Sequence, residues 1–128
     1  MTAPLILLVE DNETNQMLAM TVLQRDGYRV DVAGSSEEAA LRLAAARPDL
    51  ILMDLQLPGQ DGLSLTRALK EDPATTSIPI VAMTAHAMLG DADEALAAGC
   101  AGYIAKPIDT RVLGDQVRRY LAASKTAS

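Results

Sequence analysis

Glu10, Asp11, Asp54, Thr84 and Lys106 are the side chains whose types and placement promise chemistry. Each is among the first polar residues after one of four short apolar runs: Leu5–Val9, Leu50–Met53, Ile80–Met83 and Gly102–Ala105. Three carboxylates brought together repel, and at least one has its pKa raised unless a cation is present. An oxygen-only donor set without Cys or His favours a hard divalent ion. A shallow site that leaves room for retained waters suits Mg²⁺ better than Ca²⁺, with Mn²⁺ as a substitute. The expected shell draws on Asp11, Asp54, a nearby backbone carbonyl and water, with Glu10 acting through water. A carboxylate beside such an ion and an ammonium is a nucleophile towards phosphorus. Phosphoryl transfer mostly requires positioning and neutralisation of the equatorial oxygens, here by the metal, Lys106 and the Thr84 hydroxyl. Singly, each residue has a plainer reading. Asp54 caps a turn, Glu10-Asp11 is a solvated loop, Lys106 is a surface lysine and Thr84 is a cap. Three acids, a hydroxyl and a lysine at four strand ends fit those separate readings poorly.

The elements that must position these groups are legible. Leu5–Val9 reads as a first strand. Asn12–Asp26 reads as a helix with Leu18, Val22 and Leu23 on its buried face, stopped by a left-handed Gly27. Arg29–Ala33 mixes charged and small apolar residues, as a strand near a sheet edge does. Ser35-Ser36-Glu37-Glu38 holds a capping box that opens a second helix through Ala46. Leu50–Met53 is long enough for a strand buried on both faces, and Pro58-Gly59 ends the segment. Asp61–Glu71 is the third helix, Ile80–Met83 the fourth strand, a helix lies within Leu89–Ala98, and Gly102–Ala105 is a short fifth strand. Asp109 caps a last helix whose Leu113, Val117, Tyr120 and Leu121 share one face. That helix is expected to end near Ala123, with 122–128 a frayed tail on a core of 5–121. Short connections between strand and helix force parallel strands, so one parallel sheet with helices on both faces is expected, its strand C-termini along one edge.

The bulk composition bounds the function. The chain has 128 residues, enough for one domain with a real core. A formal charge of −6 argues against nucleic acid or an anionic membrane as a direct partner. One cysteine, Cys100, gives no internal disulfide and points to a reducing compartment. The N-terminus lacks a signal peptide's basic segment, and no apolar run approaches the ~18 residues of a membrane span. A soluble cytoplasmic protein is expected.

With these residues in view, the sequence resembles the response-regulator receiver domains of two-component signalling. The matching features are Glu10-Asp11, Asp54, Thr84-Ala85 and Lys106-Pro107 in order, with Pro58 and Gly62 beyond Asp54, over about Leu5 to Leu121. Leu50–Pro58 and Met83–Met88 look like stand-alone cell-cycle-type receivers and receivers of hybrid kinases. The resemblance implies a flavodoxin-like (βα)5 sandwich with a five-stranded parallel sheet of order 2-1-3-4-5. It implies that Asp54 accepts phosphate from a histidine kinase or a histidine phosphotransfer protein. Asp11, Asp54 and the Gln56 carbonyl then ligate Mg²⁺, and Lys106, next to a cis Lys106-Pro107 bond, pairs with the phosphoryl group. Thr84 moves towards the phosphate, Tyr103 swings inward, and the surface of helix 4, strand 5 and helix 5 is remodelled. Gln56 and His86, each two positions beyond a site residue, are candidates to tune phosphate lifetime, and His86 reads equally well as a surface histidine.

The leading expectation is a phosphorylation-dependent switch, not a turnover enzyme, acting on a protein target or passing phosphate onward, as a monomer or weak dimer. The opening Met1 favours a complete gene product; a receiver excised from a hybrid kinase is the alternative. A small Mg²⁺-dependent phosphohydrolase with an aspartyl nucleophile is disfavoured, because such enzymes place a second Asp where Gln56 stands. A dinucleotide-binding module lacks its Gly-x-Gly-x-x-Gly after the first strand.

Overall fold

The computed structural model describes residues 3–56, 62–85 and 90–127, with side chains as far as residue 123. Pro58, Gly59, Asp61, His86 and Met88 lie outside the described residues. Five strands, β1 (Leu5–Val9), β2 (Arg29–Ala33), β3 (Leu50–Asp54), β4 (Ile80–Thr84) and β5 (Gly102–Ala105), alternate with α1 (Glu13–Arg25), α2 (Ser36–Ala45), α3 (Gly62–Glu71), α4 (Asp91–Ala98) and α5 (Leu113–Ala127). The strands form one parallel sheet in the order β2-β1-β3-β4-β5, the flavodoxin-like arrangement that the family resemblance implies.

Burial explains the strand sequences. Every residue of β1, β3 and β4 is buried, because helices cover both faces of the sheet. The edge strands differ: β2 is mostly half-exposed, and β5 alternates buried and exposed residues. One core layer joins Leu7, Val9, Ile51 and Met53 to Ala39, Leu65, Leu69 and Ala95. The opposite layer joins Ile6, Leu8, Leu52 and Met83 to Val22, Leu23, Leu113 and Val117. Each fully buried Leu or Ile contributes about 1.5–3 kcal/mol, so a core without Phe or Trp is held by the number of its contacts.

Helix ends follow their local signals. Asn12 caps α1 by accepting from the Asn15 amide, and Gly27 adopts a left-handed φ of 94° just beyond it. Ser35 caps α2 by accepting from the Glu38 amide at 3.2 Å, while the Glu38 carboxylate accepts from the Gly34 amide in place of Ser35's own. Asp109 accepts from the Arg111 amide through its side chain and from the Leu113 amide through its carbonyl, so it caps the turn that leads into α5.

Two expectations are corrected. Leu18 does not join the buried face of α1; it is 40% exposed, and Ala19 sits in the core with Val22 and Leu23. The small side chain lets α1 lie close to the sheet, which turns its larger neighbour outward. The last helix does not end near Ala123 but runs to Ala127. Ala122, Ala123 and Ala127 carry high helix propensity and no Gly or Pro interrupts them.

One glycine bears directly on the site. A Cβ on Gly62 would stand 2.3 Å from the Asp54 carbonyl oxygen and 2.9 Å from Leu55 Cα. The start of α3 therefore presses on the end of β3, where the Gly62 amide donates to the Leu55 carbonyl at 3.3 Å. Gly62→Ala is expected to destabilise the fold by about 1–3 kcal/mol through this backbone clash. Urea unfolding measures it, and an unchanged midpoint would show that α3 moves aside freely.

Candidate functional site

Backbone pairing delivers each chemical group to the sheet's C-terminal edge. The Glu10 amide donates to Ala33 O at 2.9 Å, prolonging the β1–β2 ladder. Asp54 pairs with Met83 and Thr84 with Ala105 in register, and the Lys106 amide donates to Thr84 O at 2.8 Å. The Lys106-Pro107 peptide is cis, as the sequence resemblance implies.

The side chains then converge. Lys106 Nζ lies 3.0 Å from Glu10 Oε2 and 3.1 Å from Asp54 Oδ2. Glu10 is 1% exposed and Asp54 2%, so among the described residues both carboxylates rely on this one ammonium for charge compensation. Asp54 Oδ1 accepts from the Gln56 amide at 3.0 Å. Glu10 Oε1 accepts from the Asn12 amide at 3.3 Å and from Asn15 Nδ2 at 3.5 Å. The Gln16 side-chain amide holds the Glu10 carbonyl. Asn15 thus both closes the α1 cap through its backbone and shapes the acid cluster through its side chain.

Carboxylate oxygens of Glu10, Asp11 and Asp54 all fall within 4.8 Å of one another, with Asp11 at the exposed rim. Burial is the main influence raising the Glu10 pKa; Lys106 opposes it and Asp54 adds to it. For Lys106, burial disfavours the ammonium, but the hydrogen bonds and charges of Glu10 and Asp54 outweigh it and hold its pKa above the ordinary lysine value. Glu10 Oε2 has its ion pair with Lys106 but no bond of hydrogen-bond geometry, although it is fully buried. One ammonium among three carboxylates and a buried oxygen short of a hydrogen bond make a donor set that fits a hard divalent cation.

Thr84 reaches the same edge fully buried, and its hydroxyl donates to Asp91 Oδ2 at 2.7 Å. Gln56 Nε2 donates to the same oxygen at 3.4 Å. Asp91 was not among the residues singled out from sequence. As an acid in a helix's first turn it reads as a complement to the helix dipole, and its link to Thr84 exists only in the fold. Gln16 was missed for a similar reason. Tyr103 lies on β5 with its side chain 43% exposed. His86 lies outside the described residues. Beside Lys106, a cleft of about 260 Å³ is lined by Asn15, Leu18, Ala85, Pro107 and Ile108.

Comparison with known proteins agrees with this geometry. A family model, the response regulator receiver domain, matches residues 6–118. The polar-differentiation response regulator DivK of Brucella anthropi is 40% identical over 116 residues, covering 91% of this chain and 94% of its own. A response regulator structure from Chloroflexus aurantiacus superposes with a TM-score of 0.89 at 32% identity, covering 94% of this chain and 98% of its own. The receiver domain of the sensor histidine kinase PA1611 from Pseudomonas aeruginosa, solved with magnesium in its active-site cleft, gives 0.85 at 38% identity, covering 94% and 98%. Three acids and a lysine gathered at the C-terminal edge of a 2-1-3-4-5 sheet therefore have their counterpart in sequence kinship: the chain belongs to the response regulator receiver domain family.

Proposed function

We propose that Asp54 is the phosphoacceptor of a Mg²⁺-dependent signalling switch, taking a phosphoryl group from a phosphohistidine on a histidine kinase or phosphotransfer protein. The observation that carries this reading is Lys106 Nζ within 3.1 Å of both Asp54 and Glu10 in a nearly buried pocket. An Asp54 oxygen attacks phosphorus, the P–N bond breaks, and the imidazole nitrogen leaves with the electron pair. Gln56 and Lys106 orient the attacking carboxylate through its two oxygens. Lys106 then turns from carboxylate to phosphoryl oxygen, and Thr84 offers its hydroxyl to another. Asp11, Asp54 and the Gln56 carbonyl would hold the Mg²⁺, with Glu10 reaching it through water. When bound, that ion neutralises charge on the transferring phosphoryl group. The chain acts as a switch and not as a turnover enzyme: Asp54 is itself the group modified.

Phosphate would alter protein binding through Thr84 and Tyr103. Tyr103 stands beside Ala82 in the β4–β5 register, two residues from the Thr84–Ala105 pair. Leu96 of α4, Tyr103 of β5 and Val112 before α5 are all exposed, an apolar set suited to a protein target. The donor side differs. Leu18 borders the cleft at Lys106, and Met17 beside it is 66% exposed. A helix carrying phosphohistidine would rest there.

Incubation with Mg²⁺ and acetyl phosphate should add one phosphoryl group by intact mass, and none in Asp54→Asn. A folded protein that binds Mg²⁺ without gaining mass contradicts the reading. Asp11→Asn relieves carboxylate repulsion, so without divalent ions it should raise Tm by roughly 3–6 °C, about 1 kcal/mol. The same variant should lose the Mg²⁺-induced rise in Tm; a preserved rise would take Asp11 out of the ligand set. Leu18→Asp should slow transfer from a phosphohistidine protein about tenfold or more, by burying a charge in the contact. Its acetyl phosphate reaction should match wild type, and equal slowing with both donors would rule out a docking role.

A further inference from the structure

The Thr84 hydroxyl carries a single hydrogen. In this structure that hydrogen goes to Asp91 Oδ2 at 2.7 Å. A hydroxyl with one hydrogen cannot donate to Asp91 and to a phosphoryl oxygen on Asp54 at once. The two contacts are mutually exclusive, and their exchange defines two arrangements of one element.

We propose that Asp91 is the resting-state latch of Thr84, the group from which phosphorylation must take the hydroxyl. The inference rests on the reading of Asp54 as phosphoacceptor and adds a positioning residue to it. Three observations point to Asp91. It collects donors from both neighbouring strand ends, Thr84 at the end of β4 and Gln56 just after β3, and Gln56 in turn donates from its backbone to Asp54. It begins α4, whose preceding Gly90 has a left-handed φ of 102° and supplies no side-chain cap. The carboxylate thereby stands at the helix N-terminus, where the backbone dipole favours an acceptor of hydrogen bonds. Finally, α4 rests on the core through small side chains, Ala92, Ala95 and Ala98, and the Thr84–Asp91 bond joins its first turn to the end of β4. Withdrawal of Thr84 breaks that bond, which converts the presence of phosphate into a change where α4 meets β4.

A hydrogen bond to a charged acceptor is strong enough that its loss shifts such an equilibrium by about tenfold or more. The test uses the full chain with Mg²⁺ and acetyl phosphate, following the rate of phosphorylation and the γ-methyl resonance of Thr84. Asp91→Ala should move the unphosphorylated Thr84 methyl towards its phosphorylated position and speed phosphorylation about tenfold. Asp91→Asn keeps an accepting oxygen and should show a smaller effect. Asp93→Ala, which removes an exposed acid from the same first turn, should leave both readouts at wild-type values. In a Thr84→Ala background, Asp91→Ala should change the rate by less than about twofold, since the coupling partner is gone. Equal rate changes in both backgrounds, or an unmoved Thr84 methyl in Asp91→Ala, overturn the latch while Asp54 phosphorylation stands. Wild-type protein that takes up no phosphate overturns the phosphoacceptor reading and the latch together.

Discussion

Lys106 stands between two carboxylates that are almost wholly withdrawn from water, Glu10 and Asp54. Removing one partner from a buried pair leaves an uncompensated charge, a loss of about 3–5 kcal/mol. The ammonium is therefore both a structural support and a chemical group. It holds the acid cluster together before any phosphate arrives, and its raised pKa keeps it charged throughout the neutral range. Among the described residues the site is short of positive charge, with three carboxylates to one lysine. That residual deficit is what a divalent cation or an incoming phosphoryl group with its cation can use. Strong attraction within the pocket and unfinished compensation come from the same arrangement.

The sheet makes this arrangement repeatable. Four parallel strands end along one edge, and each strand contributes its last or next residue. Because β1, β3 and β4 are buried on both faces, their ends are held by packing on either side. Gly62 fixes the far side of Asp54 by bringing α3 against its carbonyl. Asn12, Asn15 and Gln16 grip Glu10 from the α1 side. By contrast, α4 meets the core through alanines. Close backbone packing supports Asp54, and small side chains seat α4 beside Thr84, an arrangement that would suit the proposed fixed acceptor and movable hydroxyl.

The fold was legible because its signals are local. Apolar runs of four or five residues ended in chemistry-bearing residues, and Gly27 and Ser35 marked helix boundaries by local backbone and capping chemistry. Leu18 was misplaced because α1 presents several apolar residues at compatible spacings, and only packing selects Ala19 over it. The end of α5 was misread because 122–127 contains no breaking residue to place it. Within the site, Glu10, Asp11, Asp54, Thr84 and Lys106 could be picked out by position. Asp91 could not: its acceptor role depends on where α4 begins relative to β4, which is a tertiary fact.

The most direct measurement of the central claim locates the modified residue. Protein treated with Mg²⁺ and acetyl phosphate is reduced with borohydride, which converts an aspartyl phosphate to homoserine, and its peptides are sequenced by mass spectrometry. Homoserine at position 54, abolished when phosphodonor or Mg²⁺ is omitted, is the predicted result. Homoserine at Asp11 or elsewhere, or none in protein that gains phosphoryl mass, would contradict the account.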